Sequence, residues 1–189
     1  MNVIAFLGSP RKGGNTETLL KEAVRGVRAS GFKVRIFDLN RMNIAPCQNC
    51  GGCNKTGRCV VKDDMQKVSQ AIRKADRIIL TSPVFFSGLS AQVKTMIDRC
   101  QQFWCEKYIL KKPIAEGQHG RKGLLIIVGG QKKPTGVKCS EATAIAFFRT
   151  VSVPEHKTLS FTGIDAKGEI LLYPDALNEA FEAGRELVK

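Results

Sequence analysis

The sequence is poor in the residues that carry much of enzyme chemistry. Among 189 residues there are two histidines, two tyrosines and one tryptophan. His119 and His156 stand outside any partner motif, so no general base or metal ligand is assigned to either. No apolar run approaches the roughly 20 residues a membrane helix needs. Only Val3–Leu7 is apolar before Gly8, with no charged stretch ahead of it. That pattern does not read as a secretory signal, and a cytoplasmic address with no membrane partner is expected. Internal repeats and low-complexity tracts are absent. So are the Walker pattern G-x4-G-K-[ST] and the dinucleotide fingerprint G-x-G-x-x-G. The net charge of +13 comes without an aromatic-rich RNA motif or a base-reading basic helix. It reads mainly as a solvated surface with a tilt toward anionic cofactors and acidic electron donors, not as a nucleic-acid interface.

What is present is an alternation of apolar strands and amphipathic helices over one domain, residues 1–189. Asn2–Leu7 predicts a strand, and Leu19, Leu20, Ala23, Val24 and Val27 form the stripe of a helix capped by Asn15 or Thr16. Phe32–Leu39 predicts a second strand, and Asp63 and Asp64 open a helix bearing Met65, Val68 and Ile72. Arg77–Thr81 and Gly123–Val128 predict further strands, with a weaker one near Lys157–Thr162. Helices are expected from Ser90, from about Ser140 to Thr150, and from Pro174. On the helix from Ser90 to Trp104, Lys94, Asp98 and Arg99 are expected on polar faces, as a solvated surface or a subunit contact. Five strands alternating with five helices imply an α/β fold with a parallel sheet covered on both faces. Ligands in such folds bind beyond the carboxyl ends of the strands. Those ends are Gly8–Thr16, Ser82–Gly88 and Gly129–Thr135.

Two segments carry the chemistry. Residues 8–16 read GSPRKGGNT after the first strand. Gly13 and Gly14 let the chain bend around an anion at a helix N-terminus, where amide N–H groups lack partners. Ser9, Asn15 and Thr16 add neutral donors, and Arg11 and Lys12 add charge. A phosphate monoester, such as that of a mononucleotide flavin, suits this set. Residues 47–59 read CQNCGGCNKTGRC, placing Cys47, Cys50, Cys53 and Cys59 in a loop at about 45–62. Seven cysteines, an odd number, in a chain large enough to fold without staples read as metal ligation or redox chemistry. Three cysteines at successive two-residue gaps, with a fourth nearby, favour a 4Fe–4S cluster over zinc, with free or regulatory thiols as a further reading. Cys100, Cys105 and Cys139 read as small packing residues.

Taken together, GSPRKGGNT, APCQNCGGCNKTGRC followed by DDM, and SPVFFSGLSAQVKTMIDR resemble the NADPH-dependent FMN reductase superfamily. Within it they look most like the iron–sulfur flavoproteins, clearly so over about residues 2–99. The resemblance implies a flavodoxin-like three-layer sandwich, strand order 2-1-3-4-5, with bound FMN. It implies that Ser9, Arg11, Lys12, Gly14, Asn15 and Thr16 hold the FMN phosphate. Pro83, Val84, Phe85, Phe86 and Ser87 would border the ring and ribityl chain, with Gly129, Gly130 and Gln131 opposite. Cys47, Cys50, Cys53 and Cys59 would ligate the cluster. It further implies a homodimer or homotetramer. The resulting expectation is an oxidoreductase whose chemistry is carried by FMN, without an obligatory catalytic side chain. A ferredoxin-like donor would feed electrons through the cluster. The competing readings are an NAD(P)H-dependent FMN or quinone reductase without a cluster and, from another class, a zinc-binding nucleic-acid or redox-sensing module.

Overall fold

Why a parallel sheet forms is plain from its three central strands, which are apolar on both faces. In the computed structural model, which describes residues 1–115 and 117–189, β1 (Val3–Leu7) is buried at every position. It lies between β2 (Val34–Asp38) and β3 (Arg77–Phe85), pairing in parallel with Val3 opposite Val34 and Arg77. Next come β4 (Lys122–Gly129) and β5 (Glu155–Thr162), also parallel. The order is therefore β2-β1-β3-β4-β5, the flavodoxin-like arrangement expected. A two-residue strand, Gly88–Leu89, folds back antiparallel onto the end of β3.

Alternation along the strands feeds two cores. One lies where Phe6, Ile78, Leu80, Leu125 and Ile127 meet α2 (Met65–Lys74), α3 (Ala91–Arg99) and α5 (Thr135–Thr150). On the other face Val3, Ala5, Ile79, Leu124 and Ile126 pack against α1 (Asn15–Ala29) and α6 (Pro174–Leu187). The last two helices touch backbone to backbone at Gly26 and Gly184. A side chain at either would strike the carbonyl of Phe181 or of Ala23. Ser90 caps α3 through its hydroxyl, and Pro174 opens α6 as a first-turn proline.

Several boundaries move from their sequence positions. β3 runs four residues past Thr81 to Phe85, because the added residues pair with β4 and with Gly88–Leu89. α5 starts at Thr135 instead of about Ser140, since its exposed first turn carries no apolar signal. Arg99 is not on a polar face but buried at 1% exposure, and Cys139 is exposed rather than packed. Beyond α3, a short α4 (Gln101–Trp104) passes into a π-helical turn, Cys105–Ile109.

Candidate functional site

The loop after β1 is fixed before any ligand is considered. Gly8 donates its amide to the Thr81 carbonyl, and a Cβ there would collide with that oxygen and with Val93. Ser90 Oγ donates to the Gly8 carbonyl at 2.6 Å, tying α3 to the same point. Ser9 Oγ accepts from the Arg11 amide at 3.2 Å, and the Gly14 amide donates to the Arg11 carbonyl at 3.1 Å. The first-turn amides of Asn15, Thr16 and Glu17 precede the first helical bond, from Thr18 N to the Gly14 carbonyl, so they face the loop. Gly14, rather than Asn15, occupies the cap position. The Asn15 side chain is committed elsewhere: its amide donates to the Ala166 carbonyl at 2.9 Å and its oxygen accepts from Ile170 N at 3.2 Å. What Asn15 presents to a phosphate is thus its backbone.

One acid sits in this basic loop. Glu17 accepts from the Gly13 amide at 2.6 Å and from Lys21, and these bonds, Lys21 first, hold its carboxyl below its ordinary range.

Beside the loop lies a crevice of about 660 Å³ at the carboxyl ends of β3, β4 and β5. Val84, Phe86, Ser87, Gly129, Gly130 and Gln131 line it, as expected from sequence. Pro83 and Phe85 do not line it, because alternation turns them aside, and Phe85 pairs with Gly88. Lys133, Gly136, Val137, Thr162 and Asp165 complete the wall and were not singled out from sequence. A Cβ on Gly136 would come within 2.6 Å of Val84, and one on Gly130 within 3.0 Å of Asp165. The crevice stays open because these positions lack side chains. Arg11 Nη1 donates to the Asp165 carbonyl at 2.9 Å, joining the phosphate loop to the crevice wall. At the mouth, Phe86 and Ser87 have φ of 47° and 59°. They form the two-residue turn between β3 and Gly88–Leu89, a left-handed conformation that costs energy for both residues. The turn presents Phe86 fully exposed at the opening. The shape and donor set suit a flat ring with a phosphate tail.

The cysteine loop is irregular, and side chains hold it. Arg99, from the end of α3, reaches back to the carbonyls of Ala45 (2.7 Å) and Val61 (3.5 Å), on either side of the four cysteines. It pairs through both terminal nitrogens with Asp63, at 2.6 and 3.1 Å. Burial alone would raise the Asp63 pKa. Bonds from Arg99 and from the amides of Ala45 and Met65 outweigh it and hold the carboxyl below its usual range. A second arginine, Arg73, bonds Glu106 at 2.5 Å and the Gly57 carbonyl at 3.2 Å.

These pins bring Cys47, Cys50, Cys53 and Cys59 around one small cavity of about 30 Å³, shared with Arg99, Gln101 and Gln102. Four thiols facing one space are the donor set of a thiolate-bound metal. Among the described residues, however, no three Cys, His, Asp or Glu side chains converge closely enough to form a metal-binding group. Cys53 has turned instead toward Cys105, whose sulfur is 3.5 Å away and which also bonds Asn54 at 3.2 Å. Burial, followed by this neighbour, pushes the Cys53 thiol up to about 12. Cys105 is buried, as a packing residue would be, but it packs against the motif itself. No spacing signal links residues 53 and 105; only the turn of the π-helix puts them together.

Comparison with known proteins matches residues 1–161 to the family described as NADPH-dependent FMN reductase. An iron–sulfur flavoprotein of Archaeoglobus fulgidus is 34% identical over 137 residues, 72% of this chain and 59% of that protein. One of Methanosarcina thermophila is 31% identical over 132 residues, 70% of this chain and 65% of its own length. The chain therefore spans less than two thirds of these relatives. An NAD(P)H:quinone oxidoreductase from Methanothermobacter marburgensis superposes with a TM-score of 0.76 at 18% identity, covering 99% of this chain and 96% of that one. The last likeness is one of fold. Among the described residues, no helix is long and apolar enough to cross a membrane. The chain belongs to the NADPH-dependent FMN reductase family.

Proposed function

We propose that this member of the NADPH-dependent FMN reductase family is an electron-transfer flavoprotein with two redox centres. FMN occupies the crevice, and a 4Fe–4S cluster on Cys47, Cys50, Cys53 and Cys59 relays single electrons from a ferredoxin-like donor. The observation that carries this reading is that all four motif cysteines line one cavity, in a chain whose strand ends form a crevice shaped for a flat ring. The names of the relatives support it.

Flavin supplies both two-electron and one-electron chemistry, so the protein's part is binding and orientation. Backbone amides of Asn15 and Thr16, following the turn at Gly14, hold the phosphate together with Ser9, Arg11 and Lys12. Val84, Phe86 and Ser87 border one side of the ring, with Pro83 and Phe85 behind them, and Gly129, Gly130 and Gln131 border the other. Phe86, poised above the opening, excludes water when a ring is seated. The +13 charge favours docking of an acidic donor. Trp104, Tyr108 and Ile109, exposed in succession on one helical face, suit assembly into a homodimer or homotetramer.

A second reading keeps FMN without the cluster, as an NAD(P)H-driven FMN or quinone reductase. It is favoured by Cys53, whose sulfur faces Cys105 at 3.5 Å in place of the other three motif cysteines. Rapid mixing separates the two. The first predicts that a reduced ferredoxin bleaches the flavin in the wild type but not in Cys50→Ser, which still binds FMN. Ferredoxin-driven reduction surviving in Cys50→Ser contradicts it, and fast bleaching by NADPH alone favours the second.

A further inference from the structure

Arg99 is spent on more than one task. It is among the most deeply buried charged side chains described, it lines the cavity of the four thiols, and its Nε has no hydrogen-bond partner among the described residues. A buried guanidinium with an open N–H beside thiols is costly unless negative charge arrives there. Asp63 pairs with the two terminal nitrogens. Its carboxylate also accepts from the amides of Ala45 and Met65, the latter in the first turn of α2. Nε is left as the open N–H of the guanidinium at this cavity.

Four thiolates around a metal centre have the opposite problem. With a divalent ion they carry a net charge of about −2, beside an arginine that is itself 1% exposed. We propose that Arg99 is the electrostatic counterpart of the thiolate centre: its buried charge, with Nε open on the wall of the same cavity, favours the metal-bound state of the four cysteines. Arg99 is thus a positioning residue with a second role in charge, and neither role was visible in the sequence, where it falls 40 residues after Cys59. The inference deepens the cluster reading, but it holds for any soft metal the thiols take.

The test separates charge from scaffolding. Cd2+ is titrated into the reduced, metal-free, FMN-loaded full chain, following thiolate-to-cadmium absorption. In Asp63→Asn the clamp is weakened but the positive charge stays, and affinity should fall less than in the double variant. In Asp63→Asn/Arg99→Gln the charge is gone without stranding a carboxylate, and affinity should fall about 10- to 100-fold, the range for lost partners around metal ligands. Equal affinities in the single and double variants overturn the proposal. So does a single variant as weak as the double, which would mean scaffolding alone. If the double variant fails to keep FMN, Arg99→Lys decides: affinity within about fivefold upholds the role of charge, and a loss of tenfold or more overturns it. Iron and sulfide in wild-type protein isolated without oxygen report on the cluster separately. Iron absent with the cadmium result intact fails the cluster and keeps Arg99; iron present with unchanged cadmium affinities does the reverse.

Discussion

The flavin crevice and the cysteine loop are built in opposite ways. The crevice is a product of topology: strands ending side by side, glycines where side chains would block it, amides left open at a helix start. Long-range side-chain bonds, such as that from Arg11 to the Asp165 carbonyl, join its parts, but the opening itself is made by backbone. The cysteine loop has almost no regular backbone and is shaped by two arginines from α2 and α3, with Asp63 and Glu106 as their partners. A site made by topology should tolerate change at individual side chains and fail at glycines. A site made by pins should fail when one pin is pulled.

The largest expected effect is therefore on the pins. Arg99→Ala strands the buried Asp63 and should cost about 3–5 kcal/mol of stability, read by chemical denaturation, with the cysteine loop becoming protease-sensitive before the sheet unfolds. Loss of FMN binding in step with the loop would break the comparison. In the crevice, Gly8→Ala should cost about 1–3 kcal/mol, because backbone and Val93 must both move. Isothermal titration should show weakened FMN binding while the cysteine loop keeps its protection.

A subtler difference concerns acid. The Asp63 carboxyl titrates below its ordinary value of 3.8 in the folded chain. Its contribution is therefore complete above that value and lost as pH falls through the lower, folded one. Protease sensitivity of residues 45–62 should rise below about pH 4, and Asp63→Asn should flatten that dependence. The smallest effect is at the crevice mouth. Ser87→Gly relieves a left-handed residue and should raise stability by about 0.5–1 kcal/mol. Unchanged or lower stability would mean that the turn at Phe86–Ser87 is not strained.

The same contrast explains what could be read from sequence. The parallel sheet, the phosphate loop and the glycine-lined wall follow from apolar alternation and from glycine positions, which are local signals, whereas the strand order came from the family resemblance. Lys133, Thr162 and Asp165 escaped because they enter the crevice only through the parallel pairing of β4 and β5. The four cysteines were legible as a spacing, but what shapes their loop was not. Arg99 looked like one polar residue on an amphipathic helix, and its burial depends on where residues 45–63 cross α3. Cys105 looked like core, and the π-helical turn that sets it against Cys53 has no sequence signature.

The central claim is that one chain holds FMN in the crevice and a metal centre on the pinned thiols. The most direct test is to isolate wild type and Cys53→Ser without oxygen and to quantify FMN, iron and sulfide per chain. The account predicts about one FMN with about four iron and four sulfide in the wild type, and FMN with little or no iron in the variant. FMN without iron in the wild type would contradict it.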